Sequence, residues 1–385
     1  MSIEFMASLR RATAATQALD VAGATRIIQQ ALAGHRDDPE LPPAANASGR
    51  RIHDDVEDAE IVGPGPRRPV RRRPLGEVVR LLREGRASMR GQPVSPEVRP
   101  DTFPPMPEGA SFALRRHAGS AGSRAYRLYV PATAAQGVEG LVIMLHGCTQ
   151  NPEDFAAGTG MNALAERHRL VVAYPAQTAT HNPNACWNWF RPGDQARGAG
   201  EPAIIAGITE ALVAEFGVPA DRTFVAGLSA GGAMAVVMGE TYPELYAAVG
   251  VHSGLAHGSA SDVVSAFAAM RRAPAAAAPA LPQGAPRVIV FHGDADPTVH
   301  FSNAAQILAR AAAGGATDAP VRVNGKGRRS ATCTRVRSAE GAVQAELWMV
   351  DGAGHAWSGG SATGSYTDSR GPDASGEMVR FFMQV

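Results

Sequence analysis

Apolar runs of strand length recur along the last two thirds of the chain, and helical segments separate them. The runs occupy residues 125–132, 140–147, 170–176, 222–229, 247–254, 287–293 and 345–350. The run GLVIMLHG at 140–147 is nearly continuous, as is typical of a strand covered on both faces of a parallel sheet. Helical segments are predicted at 201–216, 230–241, 302–313 and 374–384. Strands that alternate with helices predict an α/β fold with a mostly parallel, doubly wound sheet.

The first hundred or so residues follow a different pattern. Residues 6–33 are rich in alanine and place apolar side chains near helical spacing, which predicts a moderately amphipathic helix. Residues 75–85 predict a second, short helix, whereas residues 34–74 are too polar and too rich in Pro, Gly and Arg to order themselves. We therefore expect a partly disordered N-terminal extension, residues 1–108, followed by the α/β domain at residues 109–385.

Two features of this extension leave its role open. The arginine cluster at 67–73 favours a solvated basic linker over a contact for a polyanion or a protein partner. The alanine-rich helix could pack within the chain, mediate self-association or dock on a hydrophobic granule.

Composition and charge exclude several classes of protein. The 385 residues are 45% hydrophobic and 19% charged, which is typical of a globular protein with a sizeable core. A formal net charge of +1 gives no argument for nucleic acid as a partner, so we expect none. No run approaches the roughly 20 apolar residues of a transmembrane helix. The N-terminus also lacks the apolar run and cleavage site of a secretory signal, which makes the cytoplasm the default location.

Three cysteines, Cys148, Cys186 and Cys333, are too few for a disulfide scaffold. Their spacing does not suggest a zinc site, and we expect no metal. One disulfide and one free thiol are possible, and the sequence does not yet say which cysteines would pair.

The motif GLSAG at 227–231 follows a buried strand and precedes a helix. A serine between glycines is often only a flexible turn. A strand–turn–helix context, however, is that of the sharp elbow that exposes a nucleophilic serine. Gly227 and Gly231 fit this elbow because strand and helix backbones approach each other there. Ser229 is therefore the candidate nucleophile.

A serine hydroxyl needs a base, and the base needs an orienting acid. On this fold the order along the chain is Ser, acid, His. His355 follows the last apolar run in a glycine-flanked loop and is the candidate base. Asp294 and Asp296 both follow the run at 287–293; we choose Asp296, because Asp294 beside Gly293 is better placed to cap its turn.

Four further histidines are weaker candidates for the base. His146 and His292 stand in HG pairs at strand ends, where a ring usually hydrogen-bonds to loop backbone. His252 and His257 follow Ser229 and could line the site.

An ester or amide carbonyl under attack also needs backbone donors for its oxyanion. The amide of Ala230, the residue after the nucleophile, is the first candidate. The amide of Cys148, in the loop after 140–147, is the second. Trp187, Trp189 and Trp357 lie on loops near these groups and could either pack or bind substrate.

Five motifs occur together and in order: LHGCTQ at 145–150, ACWNWF at 185–190, GLSAGG at 227–232, HGDADPTV at 292–299 and GHAWSGG at 354–360. As a set they resemble the polyhydroxybutyrate (PHB) depolymerase family of α/β-hydrolases, of the type in which the nucleophile follows the oxyanion loop. The resemblance covers roughly residues 110–384, and GSYTDSRGPDASGEMVRFF at 364–382 resembles the family's end.

The resemblance implies an α/β-hydrolase catalytic domain with Ser229, Asp296 and His355 as its triad. It implies the Cys148 and Ala230 amides as the oxyanion hole and a disulfide between Cys148 and Cys186; two reduced thiols are the alternative. Besides the resemblance, we predict substrate contacts from Trp187, Trp189, Trp357 and Gln150. Cys333 is then an unpaired strand or loop residue.

The leading hypothesis is a serine esterase that hydrolyses short-chain polyhydroxyalkanoate, poly(3-hydroxybutyrate), or its oligomers, without a cofactor. One alternative is a carbohydrate esterase that releases feruloyl or acetyl groups, since the family includes such enzymes. Another is a catalytically silent, granule-associated binding protein. The resemblance implies an extracellular or periplasmic location, against the cytoplasm indicated by the N-terminus.

Overall fold

The computed structural model describes residues 106–274, 281, 284–312, 315–325 and 327–384. The predicted helices at 6–33 and 75–85 and the linker between them lie outside the described residues. So does nearly all of the predicted extension at 1–108.

The described residues form a large twisted sheet and a small two-stranded one. The order in the large sheet is β1-β2-β4-β3-β5-β6-β7-β11-β10-β8, with β9 also paired to β10. The strands are β1 (Ser111–Gly119), β2 (Gly122–Val130), β3 (Gly140–Leu145), β4 (Leu170–Pro175), β5 (Thr223–Leu228), β6 (Ala248–His252), β7 (Arg287–Gly293), β8 (Ala316–Thr317), β9 (Val321–Val323), β10 (Ala331–Arg337), β11 (Val343–Val350), and β12 (Trp357–Ser358) with β13 (Thr367–Asp368) in the small sheet.

The inner strands β4, β3, β5, β6, β7 and β11 are parallel to one another, whereas the pairs at both edges are antiparallel. Helices connect the parallel strands. They are α1 (Pro152–Thr159), α2 (Met161–His168), α3 (Gly200–Phe216), α4 (Ala230–Thr241), α5 (Val263–Arg271), α6 (Ser302–Ala311) and α7 (Ala374–Met383), with short 3-10 turns at Ala132–Gln136, Pro192–Asp194 and Ala220–Arg222.

The two faces of the sheet carry separate cores. Along β3, Leu141 and Ile143 pack with residues of α3, α4, α5 and α6 on one face. Val142 and Met144 pack with residues of α1, α2 and α7 on the other. Side chains alternate between the faces of a strand, so a strand buried on both faces must be apolar throughout. The mostly parallel strand order, with helices on both faces and an elbow after β5, is the α/β-hydrolase fold.

All seven apolar runs are strands and all four predicted helices are present, which confirms the predicted architecture. The pattern missed β1, β10, the short strands β8, β9, β12 and β13, and the helices α1, α2 and α5. β1 is largely exposed and carries Arg115, Arg116 and His117, so it has no apolar run to reveal it. β10 alternates buried and half-buried residues near the opposite edge. Among the described residues, no helix is both long and apolar enough to cross a membrane.

Candidate active site

Ser229 occupies the turn between β5 and α4, at the carboxyl end of the sheet. Its backbone has φ 57° and ψ −118°, a combination that costs a non-glycine residue free energy and persists only where the surroundings hold it. The Ser229 N–H donates to the His252 carbonyl (2.8 Å), and the Ser229 carbonyl accepts from the Ala233 N–H (2.9 Å). The turn is therefore fixed from both sides.

The glycines of this elbow are required by close backbone contact. A Cβ at Gly231 would overlap the Leu145 carbonyl, and one at Gly227 would overlap the backbone of Gly231. The expected close approach of strand and helix is confirmed.

The side chains of Asp296 and His355 contact each other from two loops at the carboxyl end of the sheet. Asp296 follows β7, His355 follows β11, and Asp296 Oδ2 lies 2.7 Å from His355 Nδ1. The second carboxylate oxygen, Oδ1, accepts the N–H groups of Thr298 (2.8 Å) and Val299 (2.9 Å). Burial by itself raises the pKa of Asp296, but the His355 hydrogen bond, the neighbouring imidazoles and the Val299 amide lower it below its ordinary value. Asp296 is thus held as a carboxylate.

Asp294 has a separate partner. Its Oδ1 accepts the N–H of Gly352 (2.6 Å) in the loop after β11. It therefore caps backbone, as expected, although the amide belongs to the neighbouring loop and not to its own turn.

The four other histidines considered above are hydrogen-bonded within the protein. His146 Nδ1 lies 2.8 Å from the Gly147 carbonyl and His292 Nε2 lies 2.8 Å from the Val299 carbonyl, which confirms that both rings bind loop backbone. The His252 ring accepts the Ser358 N–H (2.9 Å) and stacks on Trp357. His257 contacts Glu240 and the Gln195 carbonyl. His252 thus borders Ser229 and the loop of His355, whereas His257 bonds to neither.

Cys148 and Cys186 form a disulfide with their Cα atoms 4.2 Å apart, so the predicted pair is present. The Thr149 N–H donates to the Asn184 carbonyl (2.9 Å) and ties the same two loops together. Cys333 is free and buried in β10. Within the described part of the chain, the N–H groups of Cys148 and Ala230 donate to no protein acceptor. Both amides are thus available to a ligand.

Gln150 is buried and its amide is fully used inside the protein. Its Oε1 accepts the Gly147 N–H (2.9 Å), and its Nε2 donates to Asp154 (2.9 Å) and to the backbone and side chain of Ser365. The substrate contact of Gln150 stays a prediction. Gln150 holds the loop that carries Cys148.

The three tryptophans are also buried. Trp187 has no exposed surface, donates from its indole N–H to the His146 carbonyl (3.1 Å) and lies under the Arg124 guanidinium. Trp357 donates to Ser375 (3.0 Å), and Trp189 packs edge-on against Phe190. All three rings pack beneath the loops, and Trp189 keeps only 6% of its surface exposed. Their substrate contact stays a prediction.

A buried polar cluster behind the Cys148–Cys186 loops was not anticipated from the sequence. Arg124 of β2 lies 3.7 Å from Glu201 of α3 and donates to Gln177 (2.6 Å). Glu201 accepts the backbone and side-chain N–H groups of Asn188, and Gln177 donates to the Cys186 carbonyl (2.8 Å). Burial raises the pKa of Glu201 and lowers that of Arg124. These residues are far apart in sequence and fit no motif, so no local signal could have found them.

Across the described ranges, no group of three or more His, Cys, Asp or Glu side chains is arranged to hold a metal ion.

The model of the family "Esterase PHB depolymerase" matches residues 124–344, which is more than half of the chain. The chain belongs to this esterase family. The match runs from β2 into β11 and includes Ser229, Asp296 and both cysteines of the disulfide.

Three proteins similar to this chain carry different names. Poly(3-hydroxyalkanoate) depolymerase C of Paucimonas lemoignei is 36% identical in an alignment that covers 42% of this chain and 42% of that protein. Feruloyl esterase B of Neurospora crassa is 32% identical over 36% of this chain and 46% of that protein. Probable acetylxylan esterase A of Aspergillus clavatus is 30% identical over 46% of this chain and 61% of that protein. The chain thus aligns with roughly half of the length of these relatives.

Proposed function

We propose that this chain is a serine esterase that hydrolyses ester bonds of short-chain polyhydroxyalkanoate or of its oligomers. The observation that carries the proposal is the buried His355–Asp296 hydrogen bond. It lies at the carboxyl ends of the parallel strands, where the strained Ser229 also lies. This is the arrangement of parts that acyl transfer by a serine requires: a nucleophile, a base and an orienting carboxylate.

In the proposed first half-reaction, the Ser229 hydroxyl attacks the ester carbonyl and His355 accepts its proton. Asp296 is ionised and can only accept, so the proton on Nδ1 of His355 faces Asp296. Nε2 is then the unprotonated nitrogen that takes the serine proton. His355 returns this proton to the alcohol as it leaves, and an acyl-enzyme remains on Ser229.

In the second half-reaction, His355 removes a proton from water, which attacks the acyl-enzyme. The acid product leaves and Ser229 regains its proton. The Cys148 and Ala230 amides bind the oxyanion of both tetrahedral intermediates. Ala230 is the first residue of α4, so the helix dipole adds positive potential at this point.

The family match and the 36% identity to a poly(3-hydroxyalkanoate) depolymerase support the proposed substrate. The relatives named feruloyl esterase and acetylxylan esterase support a second candidate, a carbohydrate esterase. Both candidates use the same residues in the same roles and differ only in the ester that is bound.

The enzymatic proposal is tested with p-nitrophenyl butyrate and two serine variants. Ser229→Ala should lower kcat at least about 10³-fold, because it removes the nucleophile. Ser253→Ala is the matched control, since Ser253 also follows a parallel strand with a positive φ of 50°. It should keep most of the activity. Equal background rates in the parent and in Ser229→Ala would leave the silent, granule-associated alternative.

The substrate is tested on one preparation with 3-hydroxybutyrate oligomers, methyl ferulate and acetylated xylan. We expect the highest kcat/KM on the oligomers. Dominant cleavage of ferulate or of acetyl groups would contradict the substrate proposal and leave the serine mechanism intact.

We also propose that residues 1–108 are an appendage to the esterase domain at 109–385. Among the described residues, both faces of the sheet are covered by helices and strands that lie within 109–385, which supports this proposal. A chain that begins at residue 109 should therefore keep its activity on soluble esters. Loss of soluble expression and activity together would show that the N-terminal residues support the fold.

A further inference from the structure

The peptide group between Gly147 and Cys148 has an unusual set of hydrogen bonds. Its N–H, that of Cys148, is one of the two proposed oxyanion donors. Its carbonyl, that of Gly147, accepts from both the His146 ring (2.8 Å) and the Gln150 N–H (3.3 Å). The two lone pairs of this carbonyl are thus both engaged from within the same loop.

The contacts of His146 determine its tautomer. A carbonyl oxygen only accepts, so His146 Nδ1 must carry the hydrogen that faces Gly147. The Gln177 N–H donates to His146 Nε2 (3.0 Å), so that nitrogen must be unprotonated. The ring is therefore neutral with its proton on Nδ1, and a second proton has no place on Nε2.

The surroundings keep the ring in this state. His146 is completely buried, and burial lowers its pKa to about 4. The Trp187 indole N–H binds the His146 carbonyl (3.1 Å), so both the backbone and the ring of the residue are fixed.

A donor on a peptide carbonyl polarises the whole peptide group, and chains of hydrogen bonds strengthen one another in a buried site. The donor also fixes the peptide plane, and with it the direction of the N–H. The second oxyanion amide has the same arrangement: the Ser229 carbonyl, which shares a peptide with the Ala230 N–H, accepts from Ala233 (2.9 Å). At Ala230 this donor comes from the helix, whereas at Cys148 the shorter of the two bonds comes from a side chain, that of His146.

From this geometry we infer that His146 is a positioning residue for the oxyanion hole: its Nδ1–H orients and polarises the peptide whose N–H at Cys148 binds the oxyanion. The inference rests on the proposed esterase function. His146 touches no reacting atom and acts only through the Gly147–Cys148 peptide, so its effect belongs to the transition state and not to substrate binding.

Two substitutions of His146 test whether its hydrogen bond to Gly147 matters or only the space that its side chain fills. Asn places its side-chain N–H as many bonds from Cα as Nδ1 of histidine, so His146→Asn can keep the bond to Gly147. Gln places its polar atoms one bond further, near the position of Nε2, so His146→Gln loses this bond. His181→Asn, on an exposed histidine of the loop after β4, is the control for the substitution itself.

Each folded variant is measured for kcat, KM and inhibition by a trifluoromethyl ketone, which forms a tetrahedral oxyanion on the serine. We expect His146→Gln to lower kcat on the order of 10-fold, with KM nearly unchanged and with a matching loss of inhibitor affinity. His146→Asn should recover most of both quantities, and His181→Asn should match the parent. Urea unfolding of each variant shows that the comparison is made on native protein.

Two results would overturn the inference: His146→Gln with the parent's kcat, or His146→Asn and His146→Gln with equal losses that lie in KM. Failure of the proposed function has a different signature, because the parent itself would then lack Ser229-dependent turnover. If His146→Gln does not fold, His146→Asn decides alone: kcat and inhibitor affinity near the parent's support the inference, and a 10-fold or greater loss of kcat contradicts it.

Discussion

Oδ2 of Asp296 accepts a hydrogen bond from Nδ1 of His355 across 2.7 Å, and this buried contact joins the loops after β7 and β11. Asp294, only two residues earlier, binds the Gly352 amide of the same second loop (2.6 Å). Two carboxylates of one short loop thus have separate partners. Asp296 orients the imidazole, whereas Asp294 holds the backbone that carries it.

Asp296→Asn should lower kcat about 10⁴-fold, because a neutral amide no longer selects the Nδ1–H tautomer of His355 or stabilises its imidazolium. Asp294→Asn is the control in the same loop and should keep most of the activity, since an amide oxygen can still accept from Gly352. Steady-state kinetics on p-nitrophenyl butyrate checks both variants. Comparable losses in the two would contradict the assignment of Asp296.

Removal of the Cys148–Cys186 disulfide should lower both stability and activity. The bond closes a segment with a sequence separation of 38, which corresponds to about 4 kcal/mol in the chain-entropy model. Cys186→Ala keeps the Cys148 amide but releases its loop, so kcat should fall more than KM changes. Urea unfolding and esterase kinetics measure the two effects.

Cys333→Ala is the control for the disulfide, because Cys333 is buried but unpaired. It should respond to dithiothreitol as the parent does, whereas Cys186→Ala should not respond at all. A parent whose stability and kcat are unchanged by the reductant would count against the disulfide's role.

Glu201→Ala should destabilise the protein by about 3–5 kcal/mol, because it leaves the buried Arg124 guanidinium without its carboxylate. Glu215→Ala is the matched control: its pair with Arg115 is 2.7 Å long but the side chains are 43% and 36% exposed. An exposed pair contributes about 0–1 kcal/mol. Urea unfolding free energies test this difference, and equal costs for the two variants would refute it.

Stability should fall as the pH is lowered from about 6.5. Burial lowers the pKa of His146 to about 4 and of His252 to about 3, and it also lowers that of His292. Below the ordinary histidine pKa the unfolded chain therefore binds protons that the native state refuses, which favours unfolding. Each such histidine contributes a slope of about 1.4 kcal/mol per pH unit until its native pKa is reached.

Unfolding free energies in urea at pH 7, 6 and 5 measure this slope. His252→Gln should reduce it by the share of one histidine. A slope that is the same in the parent and in His252→Gln would contradict the prediction.

Much of the fold was predictable because its signals are local. A strand buried on both faces must be apolar throughout, so β3 and β5 are visible as runs. The antiparallel strands β1 and β10 were not predicted, because an exposed or alternating strand needs no continuous apolar run. The elbow at Ser229 was predictable for a similarly local reason, since Gly227 must lie against the backbone of Gly231, four residues later.

The sequence by itself determined the sheet and the elbow, and it pointed to Ser229, Asp296 and His355 as candidates, because these follow from local patterns and from the shared carboxyl end of the parallel strands. Only the tertiary structure decided which aspartate meets His355, that the three tryptophans are buried, and that Arg124 faces Glu201. Such contacts depend on the path of loops and on burial, and neither of these produces a recognisable pattern in the sequence. The structure also assigned His146 its partner, since a histidine beside a glycine does not reveal which carbonyl its ring will bind.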